Sequence, residues 1–516
     1  MSEVTDNPGI VFVDHAKYMQ VLNPLFDEVV LDPTAGNAKA VLADVIRTPL
    51  GQRALDLTQL SKSKEHTTIP GTHNFDRLGH VIIVGEITDQ IGRREGCSTD
   101  EILAYTLSAT LSDLSHGPLS HATDIAVEGP GQEERFHELR SPEGLVLGGV
   151  MDVLKKRNII TDEYGTIPGV DIPRWVECSA PDVCVDRLQY TLQEMLLWFS
   201  DSKTPEAESI KNTLTEIASL KDIVINDKGD MVFTDIDQAR LFAKGYLLLS
   251  TEHWNDPVNR VQLYLLIEAL KYGIVQRRLP RMTEFDHGKT KQPFDYLYAV
   301  DSDILEAMRS QPGDTDPYLF AISNQLAGVG FEERGTFTNF KRPVFETFLC
   351  DDRAQDYPSA LVNGDLADFG PTSSQFEIQI YEGKTDLTDS PSPQVPHLIE
   401  QNGNLHYLLM PLKNRYLDPL VRTEKGDVRL SDVDERYKGL LEQQQRIQQA
   451  RLSVHIPTTT TYRELLWEQA EVTSKDFFKA QKELSPMSLD PKRRSIEAAA
   501  ERALAAAIER GSYVKL

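Results

Sequence analysis

The stretch 107–124, LSATLSDLSHGPLSHATD, holds four chemically competent side chains within twelve residues: Asp113, His116, His121 and Asp124. Carboxylate and imidazole together either ligate a metal ion or move protons. Asp113 and His116 stand three residues apart, a spacing that places both on one face of a helix. Gly117-Pro118 follows. That pair breaks a helix, because glycine is conformationally loose and proline lacks an N–H and crowds the preceding turn. The plainer reading is a helix C-terminus with polar residues in a solvated loop. Three further segments carry the same residue types. PGTHNFDRLGH (70–80) holds His73, Arg77 and His80, RFHEL (135–139) holds His137 and Glu138, and CVDRLQY (184–190) holds Asp186, Arg187 and Tyr190. Histidine is scarce, at twelve in the chain, yet five fall between residues 73 and 137. Dispersed His and Asp on several helices are the means by which a helical core builds a metal site.

The elements that must position these groups are legible from periodicity and caps. Residues 41–60 are helical in period around a break at Thr48-Pro49, with Thr48 placed to cap and Pro49 at the first helical position. Asp76 is placed to cap a helix over 76–92, with His80 early in it. Residues 101–116 and 144–157 continue the helical period, and 185–199 forms a strongly apolar helix beginning near Asp186. IVINDKGDMVF (223–233) reads as a β-hairpin turning at Asp-Lys-Gly. Residues 236–274 read as a long helical pair. Residues 1–45 suggest one or two strands, or a strand and a short helix. Segments 331–350 and 375–383 alternate like strands, while 434–454 and 493–511 are helical in period, the latter with Gly511 as a cap. The first 275 residues therefore read as mainly α, and 300–430 as α+β.

With 516 residues, 40% hydrophobic and 26% charged, the chain has the composition of a globular protein able to bury a sizeable core. A net charge of −25 argues against a duplex-DNA binder, which needs cations facing phosphates, but leaves room for a nucleotide pocket served by a few local arginines. Four cysteines without a CxxC spacing indicate neither a disulfide framework nor a zinc knuckle and suit a reducing compartment. No signal peptide or bilayer-spanning run is seen, so no membrane partner and a cytoplasmic location are expected.

Taken in order, these segments resemble the HD-domain phosphohydrolases, and among them the deoxynucleoside triphosphate triphosphohydrolases. The resemblance rests on His73-Asn-Phe-Asp-Arg77-Leu-Gly-His80, then Ser112-Asp113-Leu-Ser-His116-Gly-Pro-Leu-Ser-His121, then His137-Glu138, then Asp186-Arg187-Leu-Gln-Tyr190, with IRTPLGQRALDLTQL (46–60) upstream. Each motif alone is weak, but five in sequence order are specific. The likeness covers residues 10 to 275, with RYLDPLV (415–421) as a further match. It implies an HD-type helical core (46–275) within a mainly α fold, and the periodicity adds an N-terminal strand or helix segment (1–45), an appended α+β region (300–430) and a helical C-terminal tail (431–516).

The resemblance implies metal ligands at His80, Asp113 and Asp186. It implies proton transfer by His116, paired with Asp124, and by His137. Substrate contacts would come from Gln59, Arg77, Arg187 and Tyr190. The name-giving His-Asp pair is here Ser112-Asp113, and a hydroxyl is a poor replacement for imidazole on a transition metal. The remaining oxygen-rich set favours Mg²⁺ or Mn²⁺, with Fe, Co, Ni or Zn as alternatives. The implied activity is hydrolysis of a (deoxy)nucleoside triphosphate with release of triphosphate, and the implied assembly is a homo-oligomer. Two alternatives follow from the same residues. One is a degenerate HD protein that binds nucleotide or a partner without turnover, which Ser112 favours. The other is a phosphodiesterase acting on a cyclic or oligonucleotide substrate.

Each group also has a structural reading. His73 and His121 would satisfy backbone groups, Asp186 would cap its helix, and His137 with Glu138 would form a capping pair. Tyr190 would pack with a polar tip, Cys178 and Cys184 would fill the core, and the tail helices would form an interaction surface.

Overall fold

The structure, a computed structural model, describes residues 38–58, 76–128, 136–200, 202–254, 346–351 and 416–449. It also describes strands within 11–31, 377–409 and 452–455 and a few positions between 263 and 304. The described chain is mainly helical, with the strands in three small sheets.

At its centre lies α3 (Arg77–Arg94), against which α4 (Thr99–Leu114) packs along its length. Val81, Ile82, Ile83, Val84, Ile87 and Ile91 of α3 are all fully buried. A helix that is apolar around most of its circumference has to be enclosed by others. Each such side chain contributes about 1.5–3 kcal/mol on burial. The enclosing elements are α1 (Ala38–Ile46), α4 and α8 (Val185–Phe199). Gly85 permits the closest approach: a Cβ there would meet Leu42 Cδ2 at 2.7 Å and Thr110 Cγ2 at 3.3 Å.

The helix ends obey their local chemistry. Thr48 Oγ1 accepts from Gly51 N at 3.2 Å and Pro49 opens α2 (Pro49–Arg53). Asp76 Oδ1 accepts from Gly79 N at 2.7 Å and opens α3. Ser98 and Glu101 form a capping box at the start of α4. The chain leaves α4 at Leu114, turns through Gly117-Pro118 and re-enters a helix as α5 (His121–Glu128). The helix expected over 144–157 is instead two, α6 (Phe136–Leu147) and α7 (Val150–Lys156). Gly149 separates them at φ +82°, a left-handed conformation that glycine adopts without strain and that no helix continues through.

Past α8, α9 (Pro205–Ala218) leads to the hairpin of β4 (Ile223–Ile225) and β5 (Met231–Phe233), as the Asp-Lys-Gly turn indicates, and then α10 (Ile236–Leu248). α10 runs on as a π-helical turn over Leu249–Trp254, and the second helix expected before residue 274 falls largely outside the described residues.

At the N-terminus, β1 (Val11–His15), β2 (Tyr18–Asn23) and β3 (Asp27–Leu31) form an antiparallel meander, one strand more than expected. β6 (Glu377–Ile380) lies within the strand expected over 375–383 and joins β7 (His397–Gln401), β8 (Asn404–Leu409) and β11 (Leu452–His455) in an antiparallel sheet ordered β6-β11-β8-β7. In the third sheet, β9 (Leu420–Thr423) and β10 (Gly426–Arg429) extend the β4–β5 hairpin, with β9 parallel to β5. Leu417, Val421 and Leu430 thus bury their side chains in the core built by the N-terminal helices. α11 (Leu430–Val433) and α12 (Glu435–Gln449) follow.

Two further expectations need correction. Residues 346–350, expected as strand, are helical, and residues 452–454, expected as the end of a helix, are strand. In both places short apolar runs are compatible with either period, and pairing with distant segments decides. The helix expected over 493–511 lies outside the described residues.

Candidate metal centre

Three helix ends converge. His80 sits in the first turn of α3, Asp113 in the last turn of α4 and Asp186 in the first turn of α8. His80 Nε2 lies 3.1 Å from Asp113 Oδ2 and 3.0 Å from Asp186 Oδ1. Cys184, not Asp186, occupies the N-cap position of α8, which leaves the Asp186 carboxylate directed at the centre. Its place in the first helical turn also suits a negative charge. His80 is buried, whereas the Asp186 side chain is 37% exposed, so the centre has one solvent-facing side.

Whether these residues suit a cation can be read from their hydrogen bonds. His80 Nδ1 meets Gln189 Oε1 at 2.6 Å, and an amide oxygen only accepts, so Nδ1 carries the proton. Nε2 then faces two carboxylate oxygens with a lone pair of its own. Three electron-rich atoms at this spacing require a positive charge among them. Burial works against a proton there, but hydrogen bonds from the imidazole to Asp113 and Asp186 and the charges of those carboxylates push His80 up to about 10. A divalent cation answers the same need. Ligands at cis positions about 2.0–2.1 Å from one ion stand about 3 Å apart. His80, Asp113 and Asp186 fit such an ion, and Gln189 supplies the outer hydrogen bond that orients a ligating imidazole.

Beside this triad lies a second cluster. Asp124, fully buried in α5, has Oδ2 2.8 Å from His137 Nδ1, 3.4 Å from His116 Nδ1 and 3.5 Å from His121 Nδ1. The His116 and His137 rings stack with centroids 3.6 Å apart. His116 Nε2 is 3.6 Å from Asp113 Oδ1, so Asp113 faces His80 with one oxygen and His116 with the other. Burial opposes ionisation of Asp124, but the three imidazoles around it, His137 through a hydrogen bond, hold it well below the ordinary carboxylate range. Burial and the charges of Arg77 and His137 lower His116 to about 4. His137 is raised: burial opposes the charge, and the bond to Asp124 outweighs it. Adjacent imidazoles biased in opposite directions provide a proton acceptor beside a proton donor.

Arg77 is fully buried. Its Nη1 donates to Asp113 Oδ2 at 2.9 Å and its Nε to Ser120 Oγ at 2.7 Å, while Nη2 makes no hydrogen bond among the described residues. One edge of the guanidinium therefore orients Asp113, and a single nitrogen remains for an anion. Arg187 Nη1 donates to Asp182 O at 3.2 Å and lies 3.4 and 3.3 Å from the sulfurs of Cys178 and Cys184. Cys184 is buried, as expected, and Cys178 is half-buried. Tyr190 is half-buried against Trp254 and Tyr246, its hydroxyl 3.5 Å from that of Tyr246, which matches packing with a polar tip. His121 meets Asp124 and the His116 ring rather than the backbone partner expected for it. Ser112 is exposed on α4. Gln59 and His73 lie outside the described residues.

Sequence reasoning missed the groups that hold the turn between α4 and α5. Leu119 and Ser120 adopt positive φ of 61° and 47°, a costly conformation for residues with a Cβ. Buried Asp301 spans this turn: Oδ1 accepts from Leu119 N at 2.6 Å and Oδ2 from Thr58 N at 2.9 Å. Ser120 Oγ donates to Thr58 O, and Arg53 Nη1 donates to His116 O, both at 2.7 Å. Gln189 was detectable, since it follows Asp186 by three residues on one helix face. No local signal marks Asp301, which lies 182 residues from its partner.

Compared with known proteins, the chain matches no family model. It is 29% identical over 170 residues to the uncharacterized protein YdhJ of Bacillus subtilis, covering 33% of this chain and 47% of that one. It is 27% identical over 213 residues to the metal-dependent phosphohydrolase cns2 of Cordyceps militaris, covering 39% of this chain and 57% of that one. The chain thus spans about half the length of the curated relatives it matches. The solved structure of a phosphohydrolase from Bacteroides thetaiotaomicron superposes with a TM-score of 0.48 at 13% identity, over 86% of this chain and 100% of that one. The named likeness in sequence is to a metal-dependent phosphohydrolase, and His80, Asp113 and Asp186 are a group that could hold a metal ion.

Proposed function

We propose that this protein is a metal-dependent phosphohydrolase of the HD type, acting on a nucleotide, with a (deoxy)nucleoside triphosphate as substrate and triphosphate as product. The observation that carries the reading is the meeting of His80, Asp113 and Asp186 at 3.0–3.1 Å, next to a carboxylate-bound imidazole pair. A divalent cation in the triad supplies Lewis-acid stabilisation of charge on a phosphoryl oxygen. Mg²⁺ or Mn²⁺ suits a set of two carboxylates and one imidazole. Exposed Ser112 leaves the side where the HD pair carries imidazole open to water.

The remaining groups bind, orient and move protons. Arg77 holds Asp113 in register and offers Nη2 to a phosphate oxygen. Arg187 supplies a second cation, Tyr190 lies one helical turn beyond Asp186 for the sugar or base, and Gln59 has the same role by its motif. His116, neutral at physiological pH, accepts a proton from water, and His137, held by Asp124, returns one to the leaving oxygen.

The test is a screen of nucleotides against Mg²⁺, Mn²⁺, Fe²⁺, Co²⁺ and Ni²⁺ with identification of products. Triphosphate and a nucleoside are expected from at least one nucleoside triphosphate. Turnover only of cyclic or oligonucleotide substrates supports a phosphodiesterase instead. No turnover with any metal supports a nucleotide-binding protein without activity.

A further inference from the structure

The segment between α7 and α8 brings two cysteines to one nitrogen. Cys178 Sγ and Cys184 Sγ lie 3.4 and 3.3 Å from the same atom, Arg187 Nη1. Both sulfurs therefore occupy one small volume. Cys184 is fully buried at the N-cap of α8, where its side chain makes no capping bond. Cys178 is half-buried, so a small oxidant can reach it. The backbone of 178–184 is turn and irregular structure, free of a helical or sheet ladder that would resist a small movement. Asp182, inside the loop, is tied to Arg174 and to Arg429, and Pro181 O accepts from Asp418 N at 3.0 Å, so the loop is anchored from outside while both sulfurs face one guanidinium nitrogen.

We propose that Cys178 and Cys184 are a modification site: a thiol pair that a hydroperoxide converts reversibly to a disulfide, loosening Arg187. The Cys178 thiolate attacks a peroxide oxygen, giving a sulfenic acid and releasing hydroxide (water, from a protonated leaving oxygen). The Cys184 sulfur then attacks the sulfenic sulfur and expels water. Overall, two thiols and one hydrogen peroxide give one disulfide and two waters, and a dithiol reductant reverses it. Closing the bond draws the sulfurs to about 2.05 Å. They are then poorer acceptors and leave the positions that orient the guanidinium. The disulfide is independent of the enzymatic reading, and its consequence for phosphate binding rests on that reading.

The experiment treats the full-length protein with hydrogen peroxide. It maps residues 178–184 by non-reducing peptide mass and measures tripolyphosphate affinity by calorimetry in the presence of Mg²⁺. The expected result is a peptide lighter by two hydrogen atoms and linked between the two cysteines, with affinity lower by about tenfold, the worth of roughly one charge-assisted hydrogen bond. Dithiothreitol restores both, and Cys178→Ser, which keeps an oxygen acceptor beside Arg187, forms no link and shows the same tripolyphosphate affinity before and after peroxide. Cys178 made heavier by oxygen atoms without a link, or unchanged, overturns the proposal. A link with unaltered affinity overturns the coupling to Arg187. Reduced protein that fails to bind tripolyphosphate overturns the phosphohydrolase reading instead, and peptide mass still decides the disulfide.

Discussion

Asp124 Oδ2 stands 2.8 Å from His137 Nδ1, both buried, in a contact between α5 and the start of α6. The same oxygen lies 3.4 and 3.5 Å from ring nitrogens of His116 and His121, so one carboxylate orients His137 and places its charge beside all three imidazoles. Asp124→Asn keeps the shape and removes the charge. Its expected effect is a fall in turnover of about 10²–10⁴, the ordinary worth of general acid–base catalysis, with cation binding unchanged. Rates and bound metal measured side by side check this, and loss of the metal with the rate would move Asp124 from proton transfer to the scaffold.

The departure at position 112 yields a second expectation. Ser112→His restores a second imidazole next to Asp113 on the exposed side of α4. It should tighten binding of Mn²⁺ or Co²⁺ and shift preference away from Mg²⁺, because nitrogen ligands suit the transition ions. Competitive titration of the two proteins decides it, and equal affinities would place residue 112 outside the coordination sphere.

The turn between α4 and α5 shows where sequence reasoning stops. Thr48, Asp76 and Gly117-Pro118 mark helix ends through local chemistry, and the hairpin at 223–233 is marked by its turn. His80, Asp113 and Asp186 are legible because each lies in a motif whose order is preserved. Asp301 carries no such mark, since its function exists only once residues 58 and 119 are brought beside it. Strand 452–455 and the helical 346–350 escape the sequence because short apolar runs do not specify their period without partners. The break at Gly149 is legible in principle, as a glycine pair inside an apolar helical pattern.

Asp301 accepts from three donors, Thr58 N, Thr58 Oγ1 and Leu119 N. Asp301→Ala leaves buried donors unpaired, each at a cost of about 1–3 kcal/mol. The variant is expected to unfold at lower denaturant concentration and to bind the cation less tightly, because the turn leading from Asp113 to His121 loses its clamp. Chemical denaturation with and without Mn²⁺ reads both effects. An unaltered midpoint would show that the contact carries no net stability.

Glu194, fully buried in α8, accepts from Trp254 Nε1 at 2.8 Å. Burial pushes its carboxyl up to about 8, opposed by the Trp254 bond and the His80 charge. The folded state therefore holds this proton more tightly than the unfolded chain. Its stabilising contribution is complete below the ordinary value of 4.5 and is lost as pH rises through about 8. Glu194→Gln keeps an acceptor for Trp254 and removes the titration. The variant should match the parent near pH 4 and exceed it increasingly toward pH 8, gaining up to about 1.4 kcal/mol for each step of one in pH. Thermal unfolding across that range tests it, and parallel pH profiles would show that Glu194 does not titrate there.

The most direct test of the account is the stoichiometry of Mn²⁺ bound to the intact protein and to Asp186→Ala, followed by electron paramagnetic resonance at neutral pH. A high-affinity Mn²⁺ is expected in the parent and is expected to be lost, or weakened by orders of magnitude, in the variant, with the fold unchanged by circular dichroism. Mn²⁺ bound with equal affinity by both proteins would contradict it, because His80, Asp113 and Asp186 would then not share an ion.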